Sequence, residues 1–161
     1  MKIGKSGSRV TELLFYHLTR RRLEQVLPEL LEKTLQRGWK AVVKGGSQER
    51  IEALNGELWT YGRNSFLPHG IAADGFPDRQ PVYLTIEDER PNEADVLFLV
   101  DGADASDVAA YTRVCDLFDG NDDMAVDAAR QRWKRAKDAG HKLTYWQQSE
   151  DTGGWIKKAE G

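Results

Sequence analysis

The chain from Thr11 to Leu58 alternates between the two periods of regular secondary structure, and nothing else in it restricts the fold as tightly. Thr11–Leu18, TELLFYHL, has the apolar and aromatic density of a buried strand. Leu23, Val26, Leu27, Leu30, Leu31 and Leu35 then recur at the spacing of one helix face, and Gly38 is placed to end that helix in a left-handed cap. Pro28 falls inside the pattern, which predicts either a kink or looser first turns. Trp39–Lys44, WKAVVK, reads as a second strand, and Ser47 is placed to cap a helix whose face carries Ile51, Leu54 and Leu58. Strand, helix, strand, helix at this spacing predicts parallel strands joined by right-handed crossovers, hence an α/β sheet covered on both faces.

The remainder extends the sheet. Pro81–Ile86 is a third expected strand, and Ala94–Val100, ADVLFLV, a fourth. The latter is the most continuous apolar run and so is expected to lie centrally. Asp104 or Ser106 is placed to cap a helix carrying Val108, Ala109, Tyr111, Val114, Cys115 and Phe118, which ends near Asp119-Gly120-Asn121. A last helix is expected from about Asp123 to Ala139, with Leu143–Trp146 as a short edge strand and Trp155 as a packed or frayed end. A length of 161 residues fits one domain spanning 1–161.

Charge and cysteine content exclude several functions. The formal net charge is −3, whereas a domain that grips a polyanion through counterion release carries a basic excess. Contact with DNA is therefore expected to be indirect. Cys115 is the single cysteine, which excludes an internal disulfide and suits a reducing, cytoplasmic setting. The apolar run after Lys2, Lys5 and Arg9 is short and broken by Glu12 and His17, so neither a signal peptide nor a membrane span is expected.

Candidate chemistry is sparse. Gly45-Gly46-Ser47 joins a strand to a helix, yet the lysine and spacing of a phosphate-binding loop are missing, and ordinary turn residues are the simpler reading. His17, His69 and His141 sit in separate segments without the partners a metal or a nucleophile needs, so no metal or cofactor is expected. Asp116, Asp119, Asp122 and Asp123 lack calcium-loop spacing and are read as ending one helix and stabilising the start of the next.

Two stretches point to binding. Leu58–Gly70, LWTYGRNSFLPHG, sets Trp59, Tyr61 and Phe66 among Gly62, Asn64, Ser65 and Pro68, which predicts a loop carrying aromatic rings. Those rings either plug the core or are buried by a partner protein. On the last helix, Val126, Ala129, Trp133 and Ala136 form an inward stripe, while Arg130, Lys134 and Lys137 recur on a neighbouring face beside Trp133. This face is either simply solvated or a clamp in which cations hold a carboxylate or phosphate while the indole covers an apolar side chain.

Leu54-Asn55, Leu58-Trp59 and Ser65-Phe66-Leu67-Pro68-His69 resemble the chi subunit of bacterial DNA polymerase III. The likeness continues through Phe15-Tyr16, Gly38–Val43, Pro81-Val82, Asp95–Val100, Arg130–Lys134 and Ala139-Gly140, and its specificity lies in their order and separation. The resemblance implies a non-enzymatic adaptor, a single-domain Rossmann-like three-layer α/β fold with a mostly parallel central sheet that binds no dinucleotide. It further implies two working faces. Trp59 and Phe66 carry over to the face for the psi subunit of the clamp loader and for a helicase-like repair partner. Arg130 and Lys134, with Trp133 beside them, carry over to the site for the acidic, phenylalanine-terminated tail of single-stranded DNA-binding protein. Leu117–Asp123, LFDGNDD, is more acidic than a neighbour of such a site would be expected to be. The alternative class is a small nucleotide-binding or hydrolytic α/β enzyme working around Gly45–Ser47 or His69. A further one is direct DNA binding by the last helix.

Overall fold

The computed structural model describes residues 11–60, 68–105, 108–149, 151–152 and 154–161. Seven strands form one sheet in the order β3-β2-β4-β5-β1-β6-β7. They are β1 (Glu12–Leu18), β2 (Ala41–Lys44), β3 (Val82–Thr85), β4 (Val96–Leu99), β5 (Arg113–Asp119), β6 (Lys142–Gln148) and β7 (Trp155–Glu160). Every neighbouring pair is parallel except β6 and β7. The helices α1 (Leu23–Gln36), α2 (Gln48–Thr60) and α3 (Asp123–Asp138) follow β1, β2 and β5.

Alternation along the strands sorts the core into two layers. Tyr16, Leu18, Val43, Phe98, Cys115 and Leu117 pack against Val26, Leu27 and Leu31 of α1 and Ile51, Leu54 and Leu58 of α2. Leu13, Phe15, Leu97, Val114, Phe118 and Leu143 face the other way, onto Val126, Ala129 and Ala136 of α3. The result is the expected layered α/β arrangement, with α1 and α2 on one face and α3 on the other.

The helices start and stop where local chemistry directs. The Arg22 N–H donates to Gln25 Oε1 at 2.9 Å ahead of α1, which runs on unbroken past the buried Pro28. Ser47 Oγ accepts from the Arg50 N–H at 3.2 Å at the head of α2. Gly38, at φ 82°, provides the left-handed exit from α1.

Three expectations are corrected. The helix placed on Val108–Phe118 is a single 3-10 turn, Val108–Ala110, followed by β5. Its apolar residues mimic helical spacing because β5 lies between β4 and β1 and is buried on both faces, so it reads as a nearly continuous apolar run. The acidic cluster therefore follows a strand, and Asp122 caps α3 by accepting from the Met124 and Ala125 N–H groups at 3.0 and 3.4 Å. β6 is an interior strand, because β7 pairs along its outer side. Finally, Trp59 stands on α2, which runs through Thr60, and does not sit in a loop.

Among these, β6 organises a turn at a distance. Gln148 is buried, and its Oε1 accepts from the backbone N–H groups of Thr19, Arg20 and Arg21 at 3.2, 2.9 and 2.9 Å. One carboxamide so holds the whole exit from β1.

Candidate functional site

The rotation of α3 about its axis decides which side chains it presents, and a buried ion pair fixes it. Arg132 Nε and Nη2 donate to the two carboxylate oxygens of Asp116 at 2.6 and 3.1 Å. Both side chains are almost wholly enclosed. Burial pushes the Asp116 carboxyl above its ordinary pKa, while the hydrogen bonds and charge of Arg132 oppose that rise. A two-point contact between a helix and a central strand leaves one orientation open.

In that orientation the inward stripe is Val126, Ala129 and Ala136, and Trp133 is half-buried at its edge. Its ring meets Phe15 edge-on at 5.4 Å and Tyr145 at 5.8 Å. Tyr145 in turn lies 5.9 Å from Phe118 and 5.9 Å from His17. An aromatic floor thus runs from α3 over β1, β5 and β6. Edge-to-face packing keeps such rings in place while leaving part of their surface to a ligand.

Cations of α3 flank Trp133 in the sequence of the helix. Arg130 and Lys134 are exposed. Among the described residues Arg130 pairs with Asp127 alone, at 3.7 Å, with both side chains 70% exposed, so the pairing is weak. Lys134 makes no ion pair among the described residues, whereas Arg135 is held by both oxygens of Asp104 at 2.6 and 2.7 Å. The charge of Arg130 reaches His17 and Tyr145, lowering the pKa of each against a larger effect of burial on Tyr145 and in concert with burial on His17. Arg130, Trp133 and Lys134 therefore lie close together along α3, two exposed cations flanking a half-buried indole. His17, Phe118 and Tyr145 pack together beside them; the sequence offered His17 only as a metal or catalytic candidate and did not connect Phe118 or Tyr145 with this face. Their signal was spread over three strands, and only tertiary register joins them.

Gly120 makes the floor fit. A Cβ there would lie 2.0 Å from His17 Cδ2 and 2.7 Å from the Leu18 carbonyl, so the turn after β5 can approach β1 only without a side chain.

The second expected site is on the opposite face. Trp59, in the last turn of α2, is 53% exposed and lies with its ring centre 4.2 Å from that of His69. His69 is itself buried, with Nε2 3.2 Å from the Asn55 carbonyl, which is a structural environment. Phe66 and Tyr61 lie outside the described residues. His141 Nδ1 accepts the Thr11 N–H at 3.1 Å. Among the described residues no group of three or more His, Cys, Asp or Glu side chains could hold a metal.

Residues 10–144 match the family of the DNA polymerase III chi subunit, HolC. The chain belongs to this family. A probable DNA polymerase III subunit chi of Rickettsia prowazekii is 34% identical over 93 residues, 58% of this chain and 56% of that protein. The chain thus spans just over half the length of that relative. DNA polymerase III subunit chi of Escherichia coli is 26% identical over 122 residues, 75% of this chain and 82% of that protein. The α3 site falls within the chi family match apart from Tyr145, which comes one residue after its end, and β7 lies wholly beyond it.

One more concavity bears on activity. At the carboxyl ends of β1 and β5 a cleft of about 700 Å³ is lined by Arg20, Arg22, Arg50, Asp101, Asp119 and Asp122, among others. Open α/β sheets bind small ligands at this end. Arg50 is tied to Asp101 at 2.9 Å, and the described lining contains no histidine, serine or cysteine. No helix among the described residues is long and apolar enough to cross a membrane.

Proposed function

We propose that this chain is a non-catalytic accessory subunit of the DNA polymerase III holoenzyme that joins the clamp loader, through psi, to the C-terminal tail of single-stranded DNA-binding protein. The observation that carries the reading is the outer face of α3, where Arg130 and Lys134 are exposed on the same helix as a half-buried Trp133 that packs edge-on against Phe15 and Tyr145. A peptide that ends in a carboxylate after an apolar ring needs both features within one side chain's reach. Only a local clamp is required, which agrees with a net charge of −3. Trp59, on the other face, is a contact for psi or a helicase-like partner, and the resemblance adds Phe66, which lies outside the described residues. The exposure of Trp59 supports this, since tryptophan is enriched among residues that carry interface energy.

Calorimetric titration with a short acidic peptide ending in phenylalanine tests the reading. Wild type should bind with one-to-one stoichiometry, and Arg130→Ala should abolish the heat. Equal binding by the two proteins would refute the assignment of α3. The nucleotide-binding or hydrolytic alternative draws on the cleft at the ends of β1 and β5, and saturable nucleotide binding there would favour it.

A further inference from the structure

The contact between His17 and Tyr145 has two polarities, and only one of them helps an anion. His17 Nδ1 lies 2.6 Å from the Tyr145 hydroxyl, and that hydroxyl has no other hydrogen-bond partner among the described residues. The two residues stand on adjacent parallel strands, β1 and β6, and face α3. With a neutral imidazole protonated at Nε2, Nδ1 accepts the tyrosyl O–H, and the phenol oxygen turns only lone pairs outward. With an imidazolium, Nδ1–H donates to the phenol oxygen, and the tyrosyl O–H is released to point at a new acceptor.

The groups around His17 set how readily this exchange happens. They are Gly120 just after β5, Asp119 and Phe118 on β5, Tyr145 on β6 and Arg130 on α3. Burial and the Arg130 charge favour the neutral ring, while the backbone hydrogen bond to Gly120 and the Asp119 carboxylate favour the charged one. A carboxylate docked on Arg130 would offset that cation and accept the freed O–H. Ligand and proton then favour each other, and linkage requires the effect to be reciprocal.

We propose that His17 and Tyr145 are ligand-contacting residues of the α3 site and grade its affinity for a carboxylate with pH, the imidazolium turning the Tyr145 hydroxyl toward the ligand. This rests on reading α3 as a carboxylate-peptide site. The proton that forms the Nδ1–H bond comes from solvent, the tyrosyl O–H is kept and only rotates, and no other covalent bond changes.

The test is calorimetry with the acidic phenylalanine-terminated peptide between pH 6.0 and 8.0, where the carboxylates of the peptide stay ionised. Wild type should bind about fivefold more tightly at pH 6.0 than at pH 8.0, the size of one charge-assisted hydrogen bond made by a partly protonated group. His17→Gln and Tyr145→Phe should each flatten the profile, so that the ratio of affinities at pH 6.0 and pH 8.0 approaches one. A flat wild-type profile, or an unchanged slope in His17→Gln, overturns the inference while leaving α3 as the binding face. Absence of binding by wild type at every pH overturns both. NMR titration of the native His17 ring makes the test independent of how the variants fold: its pKa should rise in the complex, and an unchanged value refutes the coupling.

Discussion

Replacing Arg132 with methionine would take the guanidinium away from a buried carboxylate. Asp116 is 3% exposed, and both its oxygens are engaged by Arg132 at 2.6 and 3.1 Å. Breaking a buried pair from one side costs about 3–5 kcal/mol, because the remaining charge stays desolvated. For a chain of this size that is a fall in Tm of roughly 10 °C. The pH dependence has a definite sign. Burial alone raises the folded-state pKa of Asp116 above its unfolded value, so the folded variant takes up a proton the more readily. Its deficit is therefore full above that raised pKa and shrinks as pH falls through it toward the unfolded value. Urea unfolding at pH 7.5 and pH 5.0 should show the larger loss at pH 7.5, and Asp116→Leu combined with Arg132→Met should recover most of it. Peptide affinity at α3 should fall in the single variant, since the helix loses its rotational lock. If Arg132→Met unfolds with wild type, or loses as much at pH 5.0 as at pH 7.5, the role given to this pair is wrong.

Gly120→Ala should destabilise by about 1–3 kcal/mol in the same assay, because the new methyl meets both an imidazole and a backbone carbonyl. Cys115 is buried, and burial pushes its thiol up to about 12, so a thiol reagent at pH 8 should label it only at the rate of unfolding. Fast labelling of the native protein would contradict that environment. Trp59→Ala, at a residue 53% exposed, should cost less than about 1 kcal/mol of stability and yet abolish co-purification with psi.

The sequence was most legible where one element carries its own pattern. The stripes of α1, α2 and α3 and the apolar strands β1 to β4 all follow from spacing, and so does the clustering of Arg130, Trp133 and Lys134 on one helix. It was least legible at β5. Asp116 there looks like a polar, solvent-facing position of a helix until Arg132 is known to cover it. The floor made by Phe15, His17, Phe118 and Tyr145 was hidden for a related reason, since it draws on strands joined by register alone. Trp59 moved from loop to helix because the breakers Gly62 and Asn64 come after the last turn of α2.

The place of β1 in the sheet has a consequence for how the chain is made. Its two neighbours are β5 and β6, so Glu12 awaits Arg113 on one side and Lys142 on the other. On a ribosome the strands β2, β3 and β4 can associate as they emerge, while the greasy ELLFYHL segment has no sheet partner until the second half has been synthesised. For that interval the nascent polypeptide carries an unsheltered, sticky strand, a natural client for chaperones that work at the exit tunnel.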